Sequence, residues 1–448
     1  MRGPVSLRRV PLHVTIDEFS NRSIVTSPQT TRTQLRSVIG GSLGNLVEWF
    51  DWYAYSAFAI YFANSFFPAQ ERTAQLLKTA AIFSVGFLMR PFGAWVLGAY
   101  ADRQGRKAAL ALSVLMMAAG SLLIALTPTY ATIGVAAPAL LLLARVLQGF
   151  STGGEYGASA TYMSEVVHPS RRGLYSGVLY STLILGQLLA LAVLMTLQLV
   201  LLTPDQLHEW GWRIPFALGA VVSVTALLVR RRLPESELFV RAAHTPRSGR
   251  LRALSAHPRA VLMVIGLTLG GTLYFYTFTT YMQKFLVVSA GLTETQSTWI
   301  SSFALFVFVL LQPVAGAISD RVGRRAILIA FGGLATMTTI PLLRAIEHAQ
   351  SPTVALILVL LGMLIATLYS SVSAIAKAEL FPVEVRALGV GLPYAIAVSL
   401  FGGSAETIAL SLKSIGLDEW YYVYVSVCAA ISLIVYWHLP DSRTQSKL

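Results

Sequence analysis

The sequence predicts an all-α integral membrane protein of twelve transmembrane helices, arranged as two six-helix halves related by an internal repeat. Three observations carry this. First, 55% of the 448 residues are hydrophobic and only 12% are charged, whereas a soluble domain carries about 25% charged residues. Second, the apolar residues gather into twelve runs, and a helix needs about 20 such residues to cross the hydrocarbon layer. Third, a polar loop motif recurs six runs later in the chain.

The runs are 37–66, 74–100, 108–127, 135–164, 173–202, 213–231, 260–288, 295–319, 326–346, 353–380, 386–412 and 420–439. Lipid offers no hydrogen-bond partner to the backbone, so these segments are helices. Residues 1–35 contain no long apolar run, and the first 36 residues hold six Arg. They read as a disordered cytoplasmic tail, not a secretory signal. The N-terminal half spans 36–232 and the C-terminal half 259–439. Between them lies a cytoplasmic linker, 233–258, with Arg241, Arg247, Arg250 and Arg252 among Pro, Ser and Gly. Residues 440–448 form a short cytoplasmic tail.

Orientation follows from Lys and Arg, which accumulate on the cytoplasmic side. The two tails and the loops after even-numbered helices hold 26 of the 34 basic residues. The opposite side holds Arg72, Lys78, Arg213, Lys284, Arg344 and Lys413; Arg90 and Arg145 fall inside apolar runs. Both termini are therefore expected in the cytoplasm.

The net charge of +13 does not imply a nucleic-acid partner. The basic residues sit in short loops, and no basic and aromatic stripe suits a phosphate backbone. Cys428 is the only cysteine, so no intramolecular disulfide or multi-Cys metal site exists, and the seven His lie in loops, tails or helix ends. There is no Gly-x-x-x-x-Gly-Lys-Ser/Thr loop for a nucleotide. No Ser-His-Asp or metal constellation can be assembled. We expect no cofactor, no metal and no enzymatic activity. The Gly149–Gly157 run reads first as close helix packing.

The repeat is explicit. Gly98-Ala-Tyr-Ala-Asp102-Arg103-Gln-Gly105-Arg106-Lys107 follows the second run, and Gly316-Ala-Ile-Ser-Asp320-Arg321-Val-Gly323-Arg324-Arg325 follows the eighth, 218 residues on. Glu165, Pro169 and Arg172 recur as Glu379, Pro382 and Arg386 at nearly the same offset. Internal repeats are common in transporter folds.

The paired Gly-x-x-x-Asp-Arg-x-Gly-Arg-Arg/Lys loops resemble the signature of the major facilitator superfamily. Gly44-Asn-Leu-Val-Glu48-Trp-Phe-Asp51 and Arg145-Val-Leu-Gln148-Gly149-Phe-Ser-Thr-Gly153-Gly154-Glu155-Tyr156-Gly157 are similar to its metabolite:proton symporter family. Tyr276-Thr-Phe-Thr-Thr-Tyr281-Met-Gln-Lys284, Lys377-Ala-Glu379-Leu-Phe-Pro382 and Phe401-Gly-Gly-Ser-Ala-Glu406 resemble the α-ketoglutarate permease branch. The resemblance implies proton-driven uptake of a dicarboxylate, 2-oxoglutarate foremost, by a monomer in the bacterial inner membrane. Relatives on this scaffold carry citrate, shikimate, or betaine and proline, and these remain alternatives. So does a transporter-like nutrient sensor, although no added signalling domain is visible.

Charges inside the membrane cost about 2.5–3.5 kcal/mol or more each, so they normally face a cavity or a partner. Arg90 is the first candidate to hold a substrate carboxylate, because guanidinium presents a matching fork; a structural pair with Asp51 or Glu48 is the alternative. Arg145 either contacts substrate or braces helix 4 against helix 1. Lys377 is a candidate for a second carboxylate. Tyr276, Tyr53 and Gln187 are uncharged hydrogen-bonding candidates. A proton carrier should be a carboxylate: Asp51 first, then Glu48, then Glu155. Asp102, Arg106, Asp320 and Arg324, in the repeated loops, read as gating contacts between the halves.

Overall fold

The computed structural model describes residues 31–68, 71–104, 106–153, 160–161, 164, 167–232, 254–382 and 385–440. The expected tails and most of the expected linker lie outside the described residues. Among those described, twelve long helices follow one another. They are α1 Thr31–Phe66, α2 Arg72–Gln104, α3 Arg106–Leu126, α4 Ala136–Thr152, α5 Pro169–Leu201 and α6 Ile214–Arg232 in the first half. The second half holds α7 Pro258–Val288, α8 Glu294–Val322, α9 Arg324–Glu347, α10 Pro352–Ala378, α11 Arg386–Ser414 and α12 Asp418–Trp437. Two short helices that apolar run-length does not reveal, Tyr130–Ile133 and Pro204–Glu209, lie in connections.

The outward surface is apolar. Trp95, Val200 and Met337 are 66%, 75% and 78% exposed, which suits lipid and would be costly in water. Helix starts between spans carry their own caps. Thr293 accepts from Gln296 N while the Gln296 side chain returns to Thr293 N, and Thr203 and Gln206 repeat the device. Such capping boxes satisfy backbone donors that a helix start leaves open.

Helix pairing repeats with a shift of six. In the first half α1 packs on α5, α2 on α4, and α3 on α4 and α6. In the second, α7 packs on α11, α8 on α10, and α9 on α10 and α12. The halves meet along two related seams, α5 against α8 and α2 against α11.

Both seams depend on small residues. A Cβ on Gly177 would stand 2.2 Å from the Gln312 carbonyl oxygen, and one on Gly316 would stand 2.2 Å from that of Gly173. Ser181 donates to the Val309 carbonyl at 3.0 Å across the same seam. On the other seam Ser84 donates to the Gly403 carbonyl at 2.7 Å and Ser399 to that of Phe87 at 2.6 Å. Two π-helical turns interrupt the helices beside the centre, Thr277–Tyr281 in α7 and Val398–Gly402 in α11. Such turns recur at functional sites because they loosen the regular ladder.

Candidate functional site

The site starts from the packing of α2 on α4. A Cβ on Gly149 would lie 2.1 Å from the Gly86 carbonyl oxygen, and one on Gly153 would lie 2.1 Å from that of Arg90. The described part of the glycine run is thus a packing surface, and it presses the Arg90 segment inward. Pro91 follows at once and donates no backbone hydrogen bond.

Arg90 is 4% exposed. Its guanidinium carbon lies 4.1 Å from the Trp52 ring, 4.2 Å from Phe87 and 5.0 Å from Trp49. Desolvated cation–π contacts are worth about 2 kcal/mol or more. The Nε and Nη2 atoms have no protein hydrogen-bond partner, although buried donors ordinarily find one. Tyr276 of α7 brings its hydroxyl to Arg90 and to Tyr53, and Tyr53 also meets Thr280. Tyr276 packs edge-on against Phe87 at 5.3 Å. Arg90, Tyr53 and Tyr276 therefore form one cluster spanning both halves. Gln187 of α5 adds a second span, donating to the Thr279 carbonyl at 2.7 Å.

Arg145 shares Trp52 with Arg90, its guanidinium carbon 4.0 Å from that ring and 4.5 Å from Tyr55. It is fully buried and reaches Asp51 only through a relay. Arg145 donates to Gln148 at 2.6 Å, Gln148 donates to Ser121 at 2.8 Å, and Ser121 donates to Asp51 Oδ2 at 2.7 Å. Asp51 itself points between α3 and α6. A Cβ on Gly219 would fall 1.6 Å from its Oδ1, so Gly219 provides its space. Asp51 and Trp52 are neighbours in sequence yet serve different walls of the bundle. Glu48 is buried one turn before Trp52.

Lys377 is fully buried, with its ammonium 4.1 Å from the Tyr394 ring and 5.9 Å from Tyr369. It does not snorkel to water.

At the face carrying the loops after even-numbered helices, Asp320 crosses the α5–α8 seam. Its two oxygens accept from Gly173 N at 2.8 Å and Leu174 N at 2.9 Å, while Arg324 pairs with it at 2.8 Å. A carboxylate at a helix N-terminus is favourable because it meets open N–H groups and the positive dipole end. The side chains of Asp102 and Arg106, and all of Glu155, lie outside the described residues.

Lys284, counted with the water-facing positive charges because it stands near a run's end, is buried. Its ammonium pairs with Glu406 Oε1 at 2.6 Å, with the two side chains 1% and 4% exposed, and donates to Ser56 of α1 at 2.9 Å. The available signal was a lone Lys and a lone Glu in two apolar runs of one half. Trp52 was also missed, since an aromatic in an apolar run carries no positional mark.

Twelve long helices among the described residues, eight of them long and apolar enough to cross a membrane, paired alike in two halves with buried cations where the halves meet, define a membrane transporter. The sequence profile of the Major Facilitator Superfamily matches residues 41–405 and 285–448, and the chain belongs to that family. It is 53% identical over 406 residues to the alpha-ketoglutarate permease of Escherichia coli (strain K12), covering 90% of this chain and 93% of that one. It is 35% identical over 411 residues to a citrate-proton symporter of Salmonella typhi, covering 90% and 94%. Among solved structures, the proton:xylose symporter XylE shares the fold with a TM-score of 0.71 at 15% identity, covering 93% of this chain and 98% of that one. Members of this family are transporters, and the protein is not an enzyme.

Proposed function

We propose that the protein is a proton-coupled symporter that takes a dicarboxylate, 2-oxoglutarate foremost, into a bacterial cell. It would reside in the cytoplasmic membrane with both termini inside and work by alternating access as a monomer. The observation that carries the reading is Arg90: a buried guanidinium held by three aromatic rings, with two donor nitrogens unpartnered, beside a tyrosine from the opposite half. Such a group suits a carboxylate, since the fork can donate two parallel hydrogen bonds. The similarity to the alpha-ketoglutarate permease of Escherichia coli supports the choice of acid. Citrate is the second reading, supported by symporters at 35% and 34% identity.

Asp51 is the proposed proton site, linked through Ser121 and Gln148 to Arg145. A dianion entering a negative-inside cell is opposed by about 4.6 kcal/mol per 100 mV, and two co-transported protons cancel this. Asp320 and Arg324, with Asp102 and Arg106 of the first repeat, are proposed as gating contacts that break and re-form as the halves rock.

Proteoliposomes with an imposed pH gradient and a panel of organic acids test the reading. Labelled 2-oxoglutarate should accumulate with the gradient and be displaced best by dicarboxylates. Uptake indifferent to the proton gradient, or displacement best by betaine or proline, would overturn it.

A further inference from the structure

Lys284, Glu406 and Ser56 close a triangle deep between the halves. Lys284 of α7 pairs with Glu406 of α11, and both touch Ser56 of α1: Lys284 donates to the serine hydroxyl at 2.9 Å, and that hydroxyl donates to Glu406 Oε2 at 3.4 Å. Taking two charges out of water is costly and a hydrophobic pair would often serve stability as well, so a buried ion pair calls for a reason beyond stability.

Its position supplies one. Trp52 and Ser56 lie one helical turn apart on the same face of α1, about 6 Å along the axis. Arg90 rests on Trp52, and Lys284 reaches Ser56. The two cations thus contact successive turns of α1, an axial step of about 6 Å that is on the scale of a short-chain diacid. On α7 the same order holds: Tyr276 meets Arg90, and Lys284 follows two turns later. A helical side chain leans toward the N-terminus of its helix, which here is toward Tyr276. Lys377, by contrast, is seated over Tyr394 of its own half.

We propose that Lys284 holds the second carboxylate of the substrate and that Glu406 takes up a proton when it yields Lys284. This rests on the dicarboxylate reading above. The arriving carboxylate replaces Glu406 on the ammonium of Lys284, which stays protonated throughout. The displaced Glu406 carboxylate binds one proton from the open face and becomes a neutral acid. When substrate departs, Glu406 releases that proton and the ion pair re-forms, so one proton moves at this site per substrate molecule carried. The other titratable groups near Glu406 among the described residues are Tyr55 on α1, Tyr281 on α7 and Tyr421 on α12. Among these described neighbours Lys284 supplies the positive charge, so its diversion leaves the carboxylate without a counter-ion. Together with Asp51, this site brings the proton count to two.

The test uses the full chain in proteoliposomes, reading both equilibrium exchange and gradient-driven accumulation of labelled dicarboxylate. Glu406→Gln mimics the protonated acid, so it should retain exchange and accumulate clearly less than the unaltered protein, one of the two coupled protons being lost. Glu406→Asp keeps a titratable carboxylate and should retain both. Lys284→Met combined with Glu406→Gln should raise the dicarboxylate KM about tenfold or more above that of Glu406→Gln alone, as expected for loss of a buried charge partner, with a smaller effect on a monocarboxylate analogue. Accumulation by Glu406→Gln at the unaltered level overturns the proposal. So does loss of its exchange, an Asp variant that exchanges without accumulating, or an unchanged KM in the double variant. Failure of the unaltered protein to carry any dicarboxylate would instead strike the proposed function on which this rests.

Discussion

Arg90 and Asp51 are charges amid apolar residues, a placement costly enough to require a partner or a cavity. Successive helical residues point about 100° apart, so Asp51 enters the α3–α6 wall while Trp52 turns to the two arginines. Arg90→Lys should raise the dicarboxylate KM roughly 10- to 100-fold, because ammonium keeps the charge and loses the planar fork; counterflow measurement checks this. Asp51→Asn preserves shape and should abolish accumulation while sparing exchange, read in the same vesicles. Gly219→Ala places a methyl group 1.6 Å from Asp51 Oδ1 and should disturb the same carboxylate without removing it. A Gly219→Ala variant with normal accumulation and normal thermal stability would show that this wall is not tightly formed.

Among elements, the spans were legible because they depend on local sequence. Most apolar runs and the described helices agree closely, as in 260–288 against Pro258–Val288, while part of the run 135–164 lies outside the described residues. The π turns in α7 and α11 were not legible, since they answer to neighbours on other helices. The repeated Asp motif indicated a loop with a purpose, and folding places its second copy on the N-terminus of α5. Asp320→Asn should cost about 1 kcal/mol of stability, the usual scale for a lost helix-terminal charge. It should lower the melting temperature in detergent and change transport rate more than substrate affinity. An unchanged melting temperature and rate would make the contact incidental.

Across the whole molecule, the opposite face carries its own tie between the halves. Arg72 from the start of α2 pairs with Glu294 from the start of α8, and His208 approaches the same carboxylate at 3.3 Å. The hydrogen bond to Glu294 pushes the His208 pKa upward. A raised histidine pKa contributes stability that is fully present below its ordinary value, about 6.5, and is lost as pH rises through the folded value. His208→Gln should therefore lower the melting temperature most near or below about pH 6 and converge with the parent at alkaline pH. The effect should shrink with added salt, because the cluster is partly exposed. A pH-independent difference would assign His208 a packing role alone.

Fold class, helix number and the two-half repeat are written along the chain. Lipid demands the length and apolarity of each span, and the repeated loop marks the halves, all features local in sequence. Which buried charges share a site follows from helix packing. Lys284 stands near a helix end and resembles a residue reaching for water, yet the packing of α1, α7 and α11 turns it onto Glu406 and Ser56. That outcome depends on how each helix is rotated and how closely its small residues admit the next, and a single run of sequence contains neither.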